Sequence, residues 1–116
     1  DCIDFSYGEY LIEKVFAESC GDKGISVGEN SNVEIKQLIS KNSNIGVASK
    51  DSSITKIDNA FLKNMNICFS AYNKKQEFNG SFLNIDNYQC NSYSQKNDFD
   101  DQSIIKLDKK IVKRYN

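Results

Sequence analysis

The segment Asn42-Ser-Asn-Ile-Gly-Val-Ala-Ser-Lys50 is followed 22 residues later by Asn64-Met-Asn-Ile-Cys-Phe-Ser-Ala-Tyr72. Both segments carry asparagine at the first and third positions and isoleucine at the fourth. Ile3-Asp4-Phe5 and Ile25-Ser26-Val27 occupy equivalent positions in the two preceding intervals. A constant offset near 22, made of short apolar segments and no helix-length segment, is typical of proteins built from stacked coils.

The repeat predicts an all-β fold, a right-handed parallel β-helix (solenoid) of about four coils. The predicted coils cover residues 1–90, and residues 91–116 are predicted to form a C-terminal loop and capping strands. Stacked strands lie about 4.8 Å apart. We therefore expect Asn42 and Asn64, and likewise Asn44 and Asn66, to form hydrogen-bonded ladders.

The regular spacing is interrupted once. Phe61 matches Tyr88 after 27 residues, and the extra residues fall in the segment 73–80. An insertion in a solenoid forms a loop on one face, often the working face, although it can also be a plain spacer. Residues 104–115 fit either two strands or one helix with an apolar stripe, and the need to cap an open sheet edge favours strands.

The four cysteines are predicted to be free thiols. Cys2 and Cys68 fall in the same column of the repeat, about three coils apart, and Cys20 and Cys90 are separated by a similar amount. Three coils correspond to about 14 Å, whereas a disulfide needs Cα atoms within about 7 Å. No pair has the spacing of a zinc ribbon.

Composition excludes several functions. The chain has no histidine, so a Ser-His or Cys-His nucleophile pair cannot form within it. A net charge of −1 argues against nucleic acid as a partner, and no apolar segment is long enough to span a membrane. No motif predicts a cofactor or a metal site; calcium is compatible with the polar groups but is not indicated.

Coil length and the phrase Gly21-Asp-Lys-Gly-Ile-Ser-Val-Gly28 resemble the right-handed parallel β-helix superfamily, which includes pectate lyases, polygalacturonases and bacterial surface proteins. Polygalacturonase-like enzymes place two acidic strand motifs one coil apart, and Asp4 and Asp22 have a similar spacing here. The resemblance implies acid and base roles for these two aspartates. Lys23 replaces the second aspartate of the family's pair, and the family's histidine and Arg-x-Lys motifs are missing.

The 22-residue offset also predicts a polar face made of neighbouring columns of side chains. Carboxylates, hydroxyls and a flanking tyrosine are groups that bind sugar hydroxyls, although any solvated surface carries them too. The predicted face comprises Asp4, Tyr7, Asp22, Lys23, Glu29, Lys50, Asp51 and Tyr72, with Lys74, Lys75 and Glu77 from the insertion.

These patterns favour a non-catalytic module of a bacterial cell-surface or secreted protein, whose partner is a polysaccharide or another protein. Two alternatives stay open: the C-terminal part of a polysaccharide-degrading enzyme, a hydrolase or a lyase, and a structural stalk segment. Because residue 1 is an aspartate and no cap is predicted at that end, the chain is expected to continue from upstream coils. The compartment is not fixed by the sequence.

Overall fold

The computed structural model describes residues 1–113 and is all-β, with no helix among these residues. Five strands form one sheet in chain order: β1 (Ile3–Lys50), β2 (Ile54–Tyr72), β3 (Phe82–Phe99), β4 (Ile104–Leu107) and β5 (Lys110–Ile111). The pairings β1–β2, β2–β3 and β3–β4 are parallel, and β4–β5 is antiparallel. The sheet is not closed into a barrel. Residues 1–113 contain no helix that could cross a membrane.

The register of the sheet follows the repeat. Every pair between β1 and β2 is offset by 22 residues, as in Ile35 with Ile57. The offset between β2 and β3 is 28, so Phe61 pairs with Gln89 and the predicted match to Tyr88 is wrong by one residue. The offset returns to 22 between β3 and β4. Six extra residues therefore enter between β2 and β3, in the segment where the insertion was predicted.

The strands are long but repeatedly bent. Fully extended, the 48 residues of β1 would measure about 160 Å, whereas the largest dimension of the molecule is 34 Å. Asn42 and Asn64 have φ near +60°, and Ser92 has the same conformation one register step further. Asparagine tolerates this left-handed conformation better than most residues. These in-register bends turn the chain at the same place each time.

Buried apolar columns run across the strands. Ile35, Ile57 and Ile85 are aligned in the register with Leu107, and all four are almost fully buried. Burying an isoleucine or leucine side chain stabilises a fold by about 1.5–3 kcal/mol. A single repeat cannot bury its own apolar side chains. Neighbouring strands cover them, and the stacked side chains form the core.

The asparagine ladders are confirmed. Asn64 donates its amide to Oδ1 of Asn42 at 2.8 Å, and Asn66 donates to Asn44 at 3.1 Å. Asn44 in turn donates to Asp22 at 3.4 Å. A column of buried serines also crosses the strands, with two pairs offset by 22 residues and the insertion between the pairs. Its members are Ser31, Ser53, Ser81 and Ser103.

The prediction of free thiols is wrong. Cys2 is bonded to Cys20 and Cys68 to Cys90, and none of the four cysteines is free. The prediction compared Cys2 with Cys68 and Cys20 with Cys90, whereas each real partner lies in a different column. The Cα atoms are 5.1 and 6.5 Å apart, within disulfide range.

The C-terminal region differs from prediction in one part. Residues 91–99, predicted as loop, continue β3, because Asn91 to Phe99 pair with β2 through the 28-residue register. Residues 104–111 form two short strands, as the strand alternative proposed, and the helix alternative is wrong. The prediction for residues 114 and 115 lies outside the described part of the chain.

Candidate functional site

The predicted polar face divides into two groups of residues. The first surrounds Tyr72 and the second surrounds the loop 73–81 that joins β2 to β3. Lys50 lies near Gly28, where an added Cβ would be in ordinary contact with its Cε at 3.5 Å.

The first group contains an ion pair. Lys23 Nζ lies 2.6 Å from Asp22 Oδ2 and 3.9 Å from Asp1 Oδ1. The hydrogen bond from Lys23 lowers the pKa of Asp22 below its usual range. Burial is the largest single influence on Lys23 and disfavours its charge, but the bond to Asp22 together with the charges of Tyr72, Asp22 and Asp4 raises the pKa of Lys23. Both groups are therefore charged at neutral pH, and Asp4 and Tyr72 lie within electrostatic range of Lys23.

A depression of about 470 Å³ is lined by Tyr72, which lies within electrostatic range of Lys23 and Asp22. Burial raises the pKa of Tyr72, so its hydroxyl stays neutral at ordinary pH and can both donate and accept hydrogen bonds. Asp98 is aligned with Ser70 in the register, and its charge acts on Tyr72. The depression thus joins an aromatic ring and two carboxylates to a small apolar floor. Its lining residues are Ile45, Ser70, Tyr72, Asp98, Phe99 and Asp100.

The sequence did not predict Asp98 and Asp100. Both follow the insertion, so a 22-residue offset places other residues beneath Ser70 and Tyr72. The offset of 28 that the structure adopts brings Asp98 next to Ser70. Asp100 binds the far end of β2, where its carboxylate accepts the backbone N–H of Asn73 at 2.7 Å. The sequence analysis detected the insertion but did not give its exact length, and without that length these two residues could not be placed.

The second group is a loop held by a buried carboxylate. Asp51 was predicted on the surface, but it is fully buried and its Oδ1 accepts the backbone N–H groups of Lys74 and Lys75 at 2.7 and 2.8 Å. It therefore positions the loop and is not part of an exposed face. On the outside, Lys75 Nζ pairs with Glu29 at 3.2 Å.

The rest of the second group is exposed at the surface. Tyr7 packs against Phe78 with ring centroids 6.4 Å apart, which links the first bend of β1 to the loop. Lys74 and Glu77 point to solvent. Among residues 1–113, no cluster of three or more His, Cys, Asp or Glu side chains could hold a metal ion.

A shallower depression of about 240 Å³ crosses β1, β2 and β3 elsewhere on the surface. Gln37, Asn59 and Asn87 line it and are aligned in the register. The sequence analysis did not select these amides. In the sequence they differ from other polar residues only in lying at outward-facing positions of the second half of each repeat.

Comparison of the chain with protein-family models, with curated proteins and with solved structures found no match.

Proposed function

We propose that the chain is a right-handed parallel β-helix of about four coils that acts as a non-catalytic binding module. The contrast between the length of β1 and the small dimensions of the molecule supports the winding. So does the constant register with its recurring bends at Asn42, Asn64 and Ser92. Parallel strands joined by crossovers are right-handed in nearly all known cases.

The observation that carries the binding function is the depression around Tyr72. A ring offers a flat apolar surface to the face of a sugar, and the carboxylates of Asp98 and Asp100 accept hydrogen bonds from hydroxyl groups. Pockets of this kind combine an apolar lining with a few polar groups that fix orientation. The ligand class proposed is therefore a carbohydrate, with a partner protein as the second candidate.

The ionisation of Asp22 argues against an acid role for this residue in a hydrolase. A glycosidase needs one carboxylic acid that is protonated at working pH, which requires a raised pKa. The pKa of Asp22 is instead lowered by Lys23, so this residue is a poor proton donor. In the enzyme alternative, Asp22 is therefore suited only to the ionised base role, which leaves the acid role to Asp4.

The two disulfides support an extracytoplasmic location. Disulfides persist in secreted and cell-surface proteins and are rare in a reducing cytosol. We propose a secreted or cell-surface protein on this ground. Its assignment to bacteria follows from the resemblance to bacterial β-helix proteins.

A panel of immobilised polysaccharides and a glycan array test the proposal. We expect the chain to retain at least one polysaccharide, and Tyr72→Ala to weaken that binding about tenfold or more, the effect of losing about 1.4 kcal/mol. Asp98→Asn should weaken it as well. Tyr93→Ala, which removes an exposed tyrosine elsewhere on β3, is the matched control and should leave binding unchanged.

A blank array and panel would contradict carbohydrate binding and leave a protein partner as the candidate. Equal losses in Tyr72→Ala and Tyr93→Ala would contradict the depression as the site. Release of reducing ends from the same polysaccharides, abolished by Asp22→Asn, would establish the enzyme alternative in place of the module.

A further inference from the structure

Four oxygen atoms converge on one nitrogen inside the loop 73–81. The side-chain Nδ2 of Asn73 lies 3.0 Å from the carbonyl of Lys75, 2.9 Å from that of Phe78 and 3.0 Å from that of Asn79. Oδ1 of Asp51 lies 3.3 Å away. The nitrogen therefore occupies a cage of three backbone carbonyls and one carboxylate.

An amide nitrogen cannot satisfy this cage. It carries two hydrogens, so at least two of the four acceptors lack a full hydrogen bond from it. The Asp51 carboxylate also has an oxygen without a partner: its Oδ2 is buried and forms no hydrogen bond, and the whole residue is fully buried. Buried polar oxygens without partners are costly. Backbone N–H groups satisfy part of the cage, since Phe78 donates to the carbonyl of Lys75 at 3.1 Å and Ser52 donates to that of Asn79 at 3.0 Å. Oδ2 of Asp51 is the oxygen beside the cage that has no donor among residues 1–113.

The nearby cations do not neutralise the cage from within. Lys75 donates its backbone N–H to Asp51, but its ammonium group reaches outward to Glu29. Lys74 likewise contributes its backbone N–H and has an exposed side chain. Neither ammonium group is therefore bonded to Oδ2 of Asp51, the buried oxygen without a hydrogen-bond partner.

The four oxygens surround one point at 2.9–3.3 Å, and they are of the kinds that calcium binds. Calcium takes six to eight oxygen ligands at about 2.3–2.6 Å, from carboxylates, backbone carbonyls and asparagine amides. Neighbouring ligands in such a shell lie about 3 Å apart. The amide of Asn73 presents its nitrogen or its oxygen at nearly the same position by a half-turn about its last side-chain bond. After that turn, Oδ1 of Asn73 would stand at ligand spacing from the other four oxygens.

We propose that the loop 73–81 together with Asp51 is a calcium-binding site. The ligands are the Asp51 carboxylate, Oδ1 of the turned Asn73 amide and the carbonyls of Lys75, Phe78 and Asn79, with water completing the shell. Magnesium fits poorly, because it demands a near-ideal octahedron and retains its waters. With one carboxylate among mostly neutral ligands, the affinity falls in the range of extracellular modules, about 10⁻⁴–10⁻³ M. The proposal does not depend on the binding function of the depression.

Thermal unfolding and isothermal titration calorimetry of the intact 116-residue chain with CaCl₂ test it. At a calcium concentration ten times Kd, linkage raises the folding equilibrium constant about elevenfold. The melting temperature should therefore rise by a few degrees relative to EDTA, and MgCl₂ at the same concentration should have a much smaller effect. Asp51→Asn should abolish the rise, whereas the control Asp86→Asn, on β3, should keep it.

Asn73→Asp keeps the test decisive if Asp51→Asn does not fold. A second carboxylate in the cage should raise calcium affinity about tenfold and make the variant less stable than the parent chain in EDTA, because two anions then face each other. Calcium should also shift the side-chain amide resonances of Asn73 in the NMR spectrum of the parent chain. No binding heat and no melting shift in either the parent chain or Asn73→Asp, up to about ten times the upper end of that Kd range, would overturn the proposal.

Discussion

At the scale of single residues, the close approach of other atoms across the core explains why two positions are occupied by glycine. A Cβ on Gly46 would lie 2.7 Å from the carbonyl oxygen of Cys68 and would also meet the Leu62 side chain. Gly24 stands in the equivalent position of the preceding repeat, and its Cβ would lie 2.6 Å from Ser40 Oγ. Glycine here is required by packing, since neither residue has a positive φ.

Gly46→Ala should destabilise the fold by about 1–3 kcal/mol, because a backbone carbonyl cannot move aside as a flexible side chain can. Gly28→Ala is the matched control, since its Cβ would make ordinary contacts at 3.4 and 3.5 Å. The free energy of unfolding of that variant should lie within about 0.5 kcal/mol of the value for the parent chain. Urea denaturation measures both, and equal stability of the two variants would contradict the packing described here.

Residue-level prediction worked where the repeat was uninterrupted. The ladder of Asn42 and Asn64 follows from the 22-residue offset, and the structure confirms it. The role of Asp51 could not be predicted in this way. It depends on how the loop 73–81 folds back over the end of β1, which is a contact between segments of different length and sequence.

At the scale of elements, the disulfides belong to the same cross-core pattern as the glycines. Gly46 faces Leu62, and one register step later Cys68 and Cys90 take the equivalent positions. The sequence comparison did not consider Cys68 with Cys90, although their separation of 22 residues equals the repeat period. The separation of 18 residues between Cys2 and Cys20 does not match the period, so spacing gave no signal for that pair.

Replacing Cys68 and Cys90 together by alanine should lower the free energy of unfolding by about 3 kcal/mol, the chain-entropy estimate for a closed loop of this size. Replacing Cys2 and Cys20 should instead act locally, because this bond ties down the edge segment 1–20 and its Cys2 is exposed. Hydrogen exchange should then rise in residues 1–20 while the rest of the chain stays protected. Uniformly increased exchange in both double variants would contradict this division.

At the scale of the whole molecule, the sequence predicted parallel stacking and the position of its one interruption. It predicted an offset of 27 residues across the interruption, from the match of Phe61 to Tyr88, where the structure has 28. That single number decides which side chains of β3 meet Tyr72, so the depression formed by Asp98 and Asp100 was out of reach of sequence reasoning. The all-β class and the parallel stacking of the strands could be predicted from periodicity, and the site could not.

The most direct test of the stacking is a methyl NOESY spectrum of the chain with labelled isoleucine and leucine methyl groups. The register of 22, 28 and 22 predicts consecutive cross-peaks from Ile35 to Ile57, from Ile57 to Ile85 and from Ile85 to Leu107. Absence of this chain of contacts, or contacts of Ile57 with Ile105 in place of Ile85, would contradict the register and every surface built on it.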